Sequence, residues 1–339
     1  MSGLCGILMR IAPPLAKLGP LAATTAISMG EFMEKLDLSA LPLRHYRHLV
    51  WDTARWQGFE PRPDDILVCT PYKAGTTWMQ MICALLVFQR TEFHLPLAEI
   101  SPWMELRAAP VEETHAVFAA QDHRRIIKTH TPLDGLPWFP QATYICVQRD
   151  PRDIFMSTLN HMQITNPDAD AIFKREIREA GDEPEPLPED PNEFFRMWLT
   201  TGSFPWESDG APFWSVFRHG ASFWAHRDEP NILLVHFSDL KADLEGGMRR
   251  IADALGIEVA EDTWPELVVA AGFESMKKNA DRTAPDTNFR MWKDNARFFN
   301  KGTSRQWQGV LSAESLALLD EVTAKYPADY IDWLFDGSA

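Results

Sequence analysis

Short apolar runs recur along most of the chain and are separated by longer stretches with helical patterns. The runs that read as strands are 66–69, 124–130, 144–147 and 232–237. They lack the alternation of apolar and polar residues that is typical of a strand with one exposed face, so we expect both faces of the sheet to be covered. The pattern predicts an α/β fold of a single domain, with a central, mostly parallel sheet and helices on both faces.

The helical stretches carry their own boundary signals. Residues 76–88 are apolar on nearly every face, which predicts a buried helix rather than an amphipathic one. Asp150 fits an N-cap and Pro151 fits the first helical position, so another helix should begin directly after the third strand. Gly256 fits the left-handed cap of a helix that ends at Leu255.

Two regions depart from this pattern. Residues 1–40 are predicted to form a loosely ordered N-terminal extension, followed by one domain over 41–339 with a long insertion at about 163–230. Prolines interrupt the apolar residues of the extension, and no run there reaches the ~20 residues that a membrane-spanning helix needs. Within the insertion, the acidic and proline-rich residues 182–191 predict a mobile loop.

The insertion is also unusually rich in aromatic residues. They are Phe194, Phe195, Trp198, Phe204, Trp206, Phe213, Trp214, Phe217, Phe223 and Trp224. Two interpretations stay open. These side chains could help to line an apolar binding pocket, or they could pack the insertion against the sheet, which is the more common role for a single aromatic residue.

The charge balance narrows the possible partners. With 33 basic and 48 acidic residues the net charge is -15, so the general surface would repel a nucleic acid, and any nucleotide needs a locally basic site. The four cysteines show neither a C-x-x-C motif nor metal-ligand spacing. We therefore expect a reduced, cytoplasmic protein with buried thiols and without a metal centre.

Residues 70–78 read as the end of a strand, a glycine-containing turn and the start of the buried helix. The amide groups at such a helix start and the helix dipole favour a bound anion, Gly75 lets the backbone approach it closely, and Lys73 adds a full positive charge. The loop is not a Walker A motif, because its lysine precedes its only glycine. The alternative is an apolar helix with a threonine-rich start and no ligand.

Two further pairs of polar residues follow the ends of strands. Lys128 and His130 lie two residues apart in an extended segment and share a face; the histidine can accept a proton from a hydroxyl, and the lysine can stabilise negative charge. Arg149 and Ser157 could clamp a phosphate, or else the arginine pairs with a neighbouring aspartate and the serine bonds to its own helix. Because ligands bind at the carboxyl ends of parallel strands, we expect these charges and Lys73 on one rim.

Taken together, these segments resemble those of the cytosolic-type sulfotransferases, and the chain looks like a bacterial-like member. Residues 70–78 resemble the family's 5′-phosphosulfate loop, 127–132 its K-T-H-x-P segment and 148–157 its 3′-phosphate motif. Residues 272–279 resemble its S-F-x-x-M-K-x-N stretch, and 299–302 its R-K-G motif. The resemblance implies a P-loop-kinase-like sulfotransferase fold and sulfonate transfer from 3′-phosphoadenosine 5′-phosphosulfate (PAPS) to a hydroxyl or amine, without a metal.

The resemblance also implies roles for individual residues. The catalytic residues would be His130 as the base, Lys128 and Lys73. The donor PAPS would contact Lys73, Ala74, Gly75, Thr76, Thr77, Trp78, Arg149, Ser157, Phe237, Phe273, Asn300, Lys301 and Gly302. The acceptor would be a small, aromatic or lipophilic molecule that binds next to Trp103, Leu106 and His161.

Some positions depart from the family's pattern. Asn300 stands where an arginine usually helps to hold the 3′-phosphate, and Phe237 stands where a tyrosine is usual. Lys301 or Arg305 could supply the missing charge. No match to the family's dimer segment follows Trp307, so the oligomeric state stays open. Two other functions also stay open: a nucleotide-dependent small-molecule kinase with a divergent phosphate loop, and a non-catalytic nucleotide-binding protein.

Overall fold

The computed structural model describes residues 35–179, 186–285, 291–292 and 294–337. Most of the predicted N-terminal extension, and residues 182–185 of the acidic, proline-rich segment, therefore lie outside the described residues. The described end of the extension contacts the domain. The Leu36 N–H donates to Nε2 of His226 at 2.9 Å, and the Leu36 side chain packs against a core cluster on one face of the sheet.

Four parallel strands form the central sheet in the order β2-β1-β3-β4. Their bounds are β1 Ile66–Cys69, β2 Ile126–Thr129, β3 Thr143–Gln148 and β4 Ile232–His236. In the register of the sheet, Cys69 at the end of β1 pairs with Thr129 of β2 on one side and with Cys146 of β3 on the other. The predicted parallel central sheet is confirmed.

Two strands end earlier than their apolar runs predicted. β2 ends at Thr129, so His130 lies beyond the strand, where its ring contacts the chain just after β1. β4 ends at His236, because the side chain of this residue accepts the Ser238 N–H and caps a helix that begins at Phe237. Both differences move a side chain from the sheet to the rim at which ligands bind.

Helices connect the strands and cover the sheet. In chain order they are α1 Thr76–Phe88, α2 Leu97–Ile100, α3 Val111–Ala120, α4 Pro151–Ile164, α5 Pro167–Glu179, α6 Pro191–Thr200, α7 Val216–Trp224, α8 Phe237–Ala242, α9 Leu244–Leu255, α10 Trp264–Ala271, α11 Phe273–Lys278, α12 Ala280–Thr283, α13 Ala313–Thr323 and α14 Ala328–Asp336. The 3-10 turns are Leu38–Ala40, Thr53–Trp56, Leu133–Gly135 and Asn295–Phe298. The predicted caps are confirmed: the Asp150 carboxylate accepts the Arg152 N–H at the start of α4, and Gly256 ends α9 with a φ of 63°.

Both faces of the sheet are covered, as predicted. Side chains alternate along β1, so that Ile66 and Val68 pack with α1, α9 and α10 in one core cluster. Leu67 and Cys69 pack into a separate cluster on the opposite face. Most residues of α1 are buried, which confirms the prediction of a helix without an exposed face.

The insertion between β3 and β4 contributes helices α5 to α7 to the fold. On α6, Phe194 and Trp198 pack against the Phe155 ring of α4, with ring centroids 5.2 and 5.8 Å from it. This cluster also includes side chains of α13 and α14. Phe223 of α7 packs on the face of the sheet that carries Leu67. The aromatics of the insertion therefore act as core residues.

Candidate functional site

The carboxyl ends of the strands border a cavity of about 610 Å³. Its lining includes the charged side chains that were expected on this rim, namely Lys73 after β1, Lys128 and His130 at the end of β2, and Arg149 after β3. Phe237, the first residue after β4, lines it as well. The predicted clustering of these residues is therefore observed.

The turn between β1 and α1 has an unusual backbone conformation. Lys73 and Gly75 have positive φ angles of 66° and 114°. A Cβ built on Gly75 would lie 3.0 Å from the Phe237 ring, so both the backbone and the available space favour glycine here. The hydroxyls of Thr70 and Thr76, 2.5 Å apart, tie the two ends of the turn together. Because Gly75 and Thr76 line the cavity, the first amides of α1 lie beside it.

Lys73 is enclosed by aromatic and imidazole groups. Its Nζ lies 3.3 Å from Nδ1 of His161 and 4.4 Å from the centre of the Phe298 ring. The Tyr72 hydroxyl bonds to Nε2 of the same histidine at 2.8 Å. Burial, reinforced by the charges of Lys128 and of the arginine after β3, lowers the pKa of Lys73 to about 7. A bound anion would oppose this effect and favour the charged form.

His130 is held as a neutral imidazole. Its Nδ1–H donates to the Thr70 carbonyl at 2.9 Å, which leaves the lone pair on Nε2. Burial and then the charge of Lys128 lower the pKa of His130 well below its ordinary value. The Lys128 Nζ lies 4.6 Å from the centre of the Trp103 ring, and burial lowers the pKa of this lysine to about 8. A proton acceptor and a cation thus lie next to each other at the end of β2.

Glu105 is a supporting residue that the sequence reasoning missed. Its side chain is fully buried. Its Oε1 accepts hydrogen bonds from the Thr129 hydroxyl at 2.5 Å, the Thr131 hydroxyl at 3.2 Å and the Trp56 indole at 2.8 Å. The two threonines flank His130, so Glu105 fixes the segment that carries this histidine. The only signal in the sequence was an acidic residue within a short apolar run.

Arg149 has both a protein partner and an unused donor. Its Nη2 lies 3.8 Å from the Asp153 carboxylate, and its guanidinium carbon lies 4.3 Å from the centre of the Phe237 ring. Its Nε is buried without a hydrogen-bond partner among the described residues. Since buried N–H groups are nearly always bonded, this donor fits a ligand in the cavity, which Ser157 also lines.

A loop over residues 300–306 contributes to the cavity lining near Arg149, since the Arg305 N–H donates to the Asp153 carboxylate that pairs with Arg149. Asn300, Gly302 and Gln306 line it, and the Asn300 amide donates to Oε1 of Gln306 at 3.4 Å. Lys301 and Arg305 are exposed. Neither of these two expected replacements for the missing arginine is among the described residues that line the cavity.

Of the remaining residues that were expected to contact the donor, three line the cavity and one does not. Thr77, Trp78 and Phe273 line the cavity. The indole N–H of Trp78 donates to the Ala271 carbonyl at 2.8 Å, which fixes its ring. Ala74 is fully buried in the core cluster that contains α6, and it is not among the lining residues. Its side chain therefore packs in the core and does not face the cavity.

The residues expected next to the acceptor, Trp103, Leu106 and His161, all line the cavity. They are joined by apolar residues that the sequence reasoning did not place there, namely Leu49, Val50, Trp51, Met291, Trp292 and Phe298. None of the ten aromatics of the insertion, all of which are described, lines the cavity. Phe213 instead packs behind it, stacked on Tyr72 with ring centroids 4.1 Å apart. The use of these ten residues as pocket walls is therefore wrong, and the packing interpretation is confirmed.

Cys69, Cys83 and Cys146 are free and buried. Within the described ranges, no group of three or more histidine, cysteine, aspartate or glutamate residues is arranged to hold a metal ion. In the same part of the chain, no helix combines the length and the apolar character that crossing a membrane requires.

Comparison with known proteins identifies the family. Residues 63–330, most of the chain, match the family model described as a sulfotransferase domain. This chain belongs to the sulfotransferase family. The resemblance that the motifs carry is confirmed, and with it the class of reaction, which is transfer of a sulfonate group.

Several sulfotransferases are similar in sequence. A glycolipid sulfotransferase of Mycobacterium bovis (strain BCG / Pasteur 1173P2) is 34% identical over 307 residues, which cover 86% of this chain and 94% of the relative. A luciferin sulfotransferase of Photinus pyralis is 26% identical over 295 residues, which cover 79% of this chain and 72% of the relative. Sulfotransferase 1C2 of Homo sapiens is 27% identical over 279 residues, which cover 78% and 84%.

Solved structures show the same fold. A mouse sulfotransferase complexed with PAP has a TM-score of 0.60 at 20% identity, over 87% of this sulfotransferase and 91% of that chain. A retinol dehydratase in complex with androsterone and the inactive cofactor PAP has a TM-score of 0.61 at 18% identity, over 92% and 95%. The predicted sulfotransferase fold is confirmed.

Proposed function

We propose that this sulfotransferase moves the sulfonate of PAPS to a hydroxyl, or an amine, of a small acceptor with an aromatic or lipophilic part. The observation that carries the proposal is the neutral His130, whose Nε2 lone pair is available in the cavity that Lys128 and Lys73 also line. Relatives named as glycolipid and luciferin sulfotransferases support the reaction, and the PAP bound in similar structures supports the donor.

The proposed reaction is an in-line displacement at sulfur. Nε2 of His130 takes the proton of the acceptor hydroxyl, a bond forms between the acceptor oxygen and sulfur, and the bond from sulfur to the 5′-phosphate oxygen breaks. Lys128 stabilises the transferring sulfonate. Lys73 and the first amides of α1 stabilise the charge that moves to the leaving phosphate. The products are the sulfated acceptor and 3′-phosphoadenosine 5′-phosphate (PAP), with the proton on the histidine.

The other end of the cavity would bind the nucleoside of the donor. Trp78 and Phe273 supply aromatic surfaces for adenine. Arg149 and Ser157 would bind the 3′-phosphate. The buried Nε–H of the arginine has no hydrogen-bond acceptor among the described residues, and charge-assisted hydrogen bonds to phosphate are strong. This recognition would distinguish PAPS from ATP, which has no phosphate at this position.

The acceptor would bind at the apolar end of the cavity, next to His130. The lipophilic part would contact Trp51, Trp103 and Leu106, with the hydroxyl directed to the histidine. The mycobacterial relatives, which are named for glycolipids, support an acceptor that joins a hydroxyl-bearing group to a lipophilic one. A panel of phenols, lipophilic alcohols, amines and glycolipids would rank these classes.

Replacing the base tests the proposed mechanism. His130→Ala should lower PAPS-dependent turnover by roughly 10²- to 10⁴-fold, as expected for loss of a general base. PAP affinity, measured by titration calorimetry, should stay nearly unchanged, because the assigned donor contacts lie elsewhere. His94→Ala is the matched control, since His94 is exposed and lies outside the cavity lining, and it should keep full turnover.

Two results would count against these assignments. Turnover of His130→Ala close to that of the unmodified protein would exclude His130 as the base. Phosphorylation of an acceptor with ATP and Mg²⁺, without any PAPS-dependent turnover, would favour the kinase alternative.

A further inference from the structure

One end of the donor site lacks a positive charge that the proposed function requires. A phosphate monoester carries about -1.5 to -2 charges at neutral pH. In the proposed site Arg149 is its one assigned cation, and that arginine is already shared with Asp153. Asn300, which also lines the cavity, is neutral, and its side chain bonds to Gln306. If the proposed function is correct, on which this inference rests, a second side chain must supply positive charge at this end.

Helix α8 presents a lysine to this end of the cavity. Phe237 begins the helix, and Lys241 follows four residues later, so the two side chains lie on the same face. Both line the cavity. The Phe237 ring packs against the Arg149 guanidinium, so the face of α8 that contacts the assigned arginine also carries Lys241.

A chain of contacts places Lys241 and Arg149 at the same loop. The Lys241 ammonium donates to the Ser304 hydroxyl at 3.4 Å. The next residue, Arg305, donates its backbone N–H to the Asp153 carboxylate at 2.8 Å, and this carboxylate is the partner of Arg149. The loop over 300–306 therefore contacts Lys241 directly and is linked to Arg149 through the Asp153 carboxylate.

The other cations that line the cavity are placed less well. Among the described residues, the cations that line the cavity are Lys73, Lys128, Lys241, Arg107 and Arg149. The first two belong to the reacting end, and Arg107 donates to the His48 and Leu49 carbonyls at the acceptor end.

We propose that Lys241 binds the 3′-phosphate of the donor together with Arg149 and supplies the charge that Asn300 does not. The ammonium is exposed and donates a single long hydrogen bond to Ser304. It can therefore turn to a phosphate oxygen with little loss of existing interaction energy. A lysine acts here as a mobile point charge, whereas an arginine would bind the phosphate through two fixed N–H groups.

The test compares ligands with and without a 3′-phosphate. Lys241→Ala should weaken PAP binding roughly tenfold, which is the expected effect of losing one hydrogen bond to a charged group. AMP, which lacks the 3′-phosphate, should bind Lys241→Ala and the unmodified protein alike. Lys325→Ala is the control for the change in net charge, because Lys325 is exposed and outside the cavity lining; it should leave both affinities unchanged.

The outcomes separate the inference from the function on which it rests. A preference of the unmodified protein for PAP over AMP supports the proposed donor, and its absence would contradict that donor. If the preference is present but Lys241→Ala keeps it, or weakens PAP and AMP equally, Lys241 does not bind the 3′-phosphate. Lys241→Arg, which retains the charge, should keep most of the preference for PAP.

Discussion

At the scale of single residues, burial sets the protonation of the site before a donor binds. The pKa of Lys73 is lowered to about 7 by burial and by neighbouring positive charges, and that of Lys128 is lowered to about 8 by burial. A lowered pKa means that each lysine tends to lose its proton when no counter-charge is present. A donor with several negative charges favours the protonated form and reverses this tendency. Donor binding should therefore take up protons at a pH above these values.

This coupling predicts that the number of protons taken up on PAP binding depends on pH. PAP binding should take up about one proton or more at about pH 8.5, and less at about pH 6.5, where both lysines are already largely protonated. Calorimetry in buffers of different ionisation enthalpy measures the uptake. Lys73→Arg should reduce the uptake at the higher pH, because a guanidinium stays charged throughout this range. Equal proton uptake at the two pH values would contradict the coupling between donor binding and the protonation of these lysines. Equal proton uptake by Lys73→Arg and the unmodified protein at the higher pH would contradict the part assigned to Lys73.

The positions of candidate site residues could be predicted from the sequence where they belong to a short motif. His130 and Lys128 are examples, since their chemistry and their spacing are local. The tautomer of His130 was not predictable, because it depends on a hydrogen bond to Thr70, which directly follows the neighbouring strand β1. Glu105 and Lys241 lie outside the sequence motifs that resemble those of the family. The supporting contacts of Glu105, and the role proposed for Lys241, depend on what the fold packs next to them.

At the scale of elements, local signals predicted the strands and α1 well. Apolar runs mark the buried strands, and capping residues such as Asp150 mark helix starts, because both effects act over a few residues. The surroundings of the aromatic residues in the insertion were harder to predict. Whether Phe194 faces a core or a cavity depends on α4, α13 and α14, which come from other parts of the chain. Trp51 reaches the cavity through a bridge to Leu106, which no local pattern indicates.

The loop over 300–306 allows a prediction at this scale. Gly302 has a φ of 64°, and a Cβ added there would lie 3.0 Å from the Phe273 ring. Gly302→Ala should therefore displace the ring that we assign to adenine and weaken PAP binding, on the order of tenfold or about 1.4 kcal/mol. It should also lower the free energy of unfolding by about 1 to 2 kcal/mol, because alanine is strained at positive φ.

Gly256→Ala is the matched control for this variant. Gly256 has nearly the same φ, 63°, but nothing lies within 4 Å of an added Cβ. Denaturant unfolding should show a similar loss of stability in the two variants, whereas titration calorimetry should show weaker PAP binding only in Gly302→Ala. Equal PAP affinity in both would mean that the Phe273 ring does not contact the nucleotide.

At the scale of the whole molecule, the donor cavity connects distant parts of the chain. Residues that follow all four strands line it, and α8, α11 and the loop over 300–306 complete it. Its cationic rim is a local exception in a chain with a net charge of -15, and it can attract an anionic donor that the rest of the surface repels. A ligand held in this way contacts segments far apart in sequence, so its binding free energy should stabilise their folding as a unit.

Thermal unfolding tests this expectation. A ligand that binds only the folded state, at 100 times its dissociation constant, adds about 2.7 kcal/mol of stability. We expect PAP at that concentration to raise the melting temperature by several degrees in one cooperative step, because the sequence predicts a single domain over 41–339. AMP at the same concentration, or PAP added to Arg149→Ala, should produce a smaller shift. Two unfolding steps of which PAP moves only one would contradict the single domain, and an unchanged melting temperature would contradict the donor site itself.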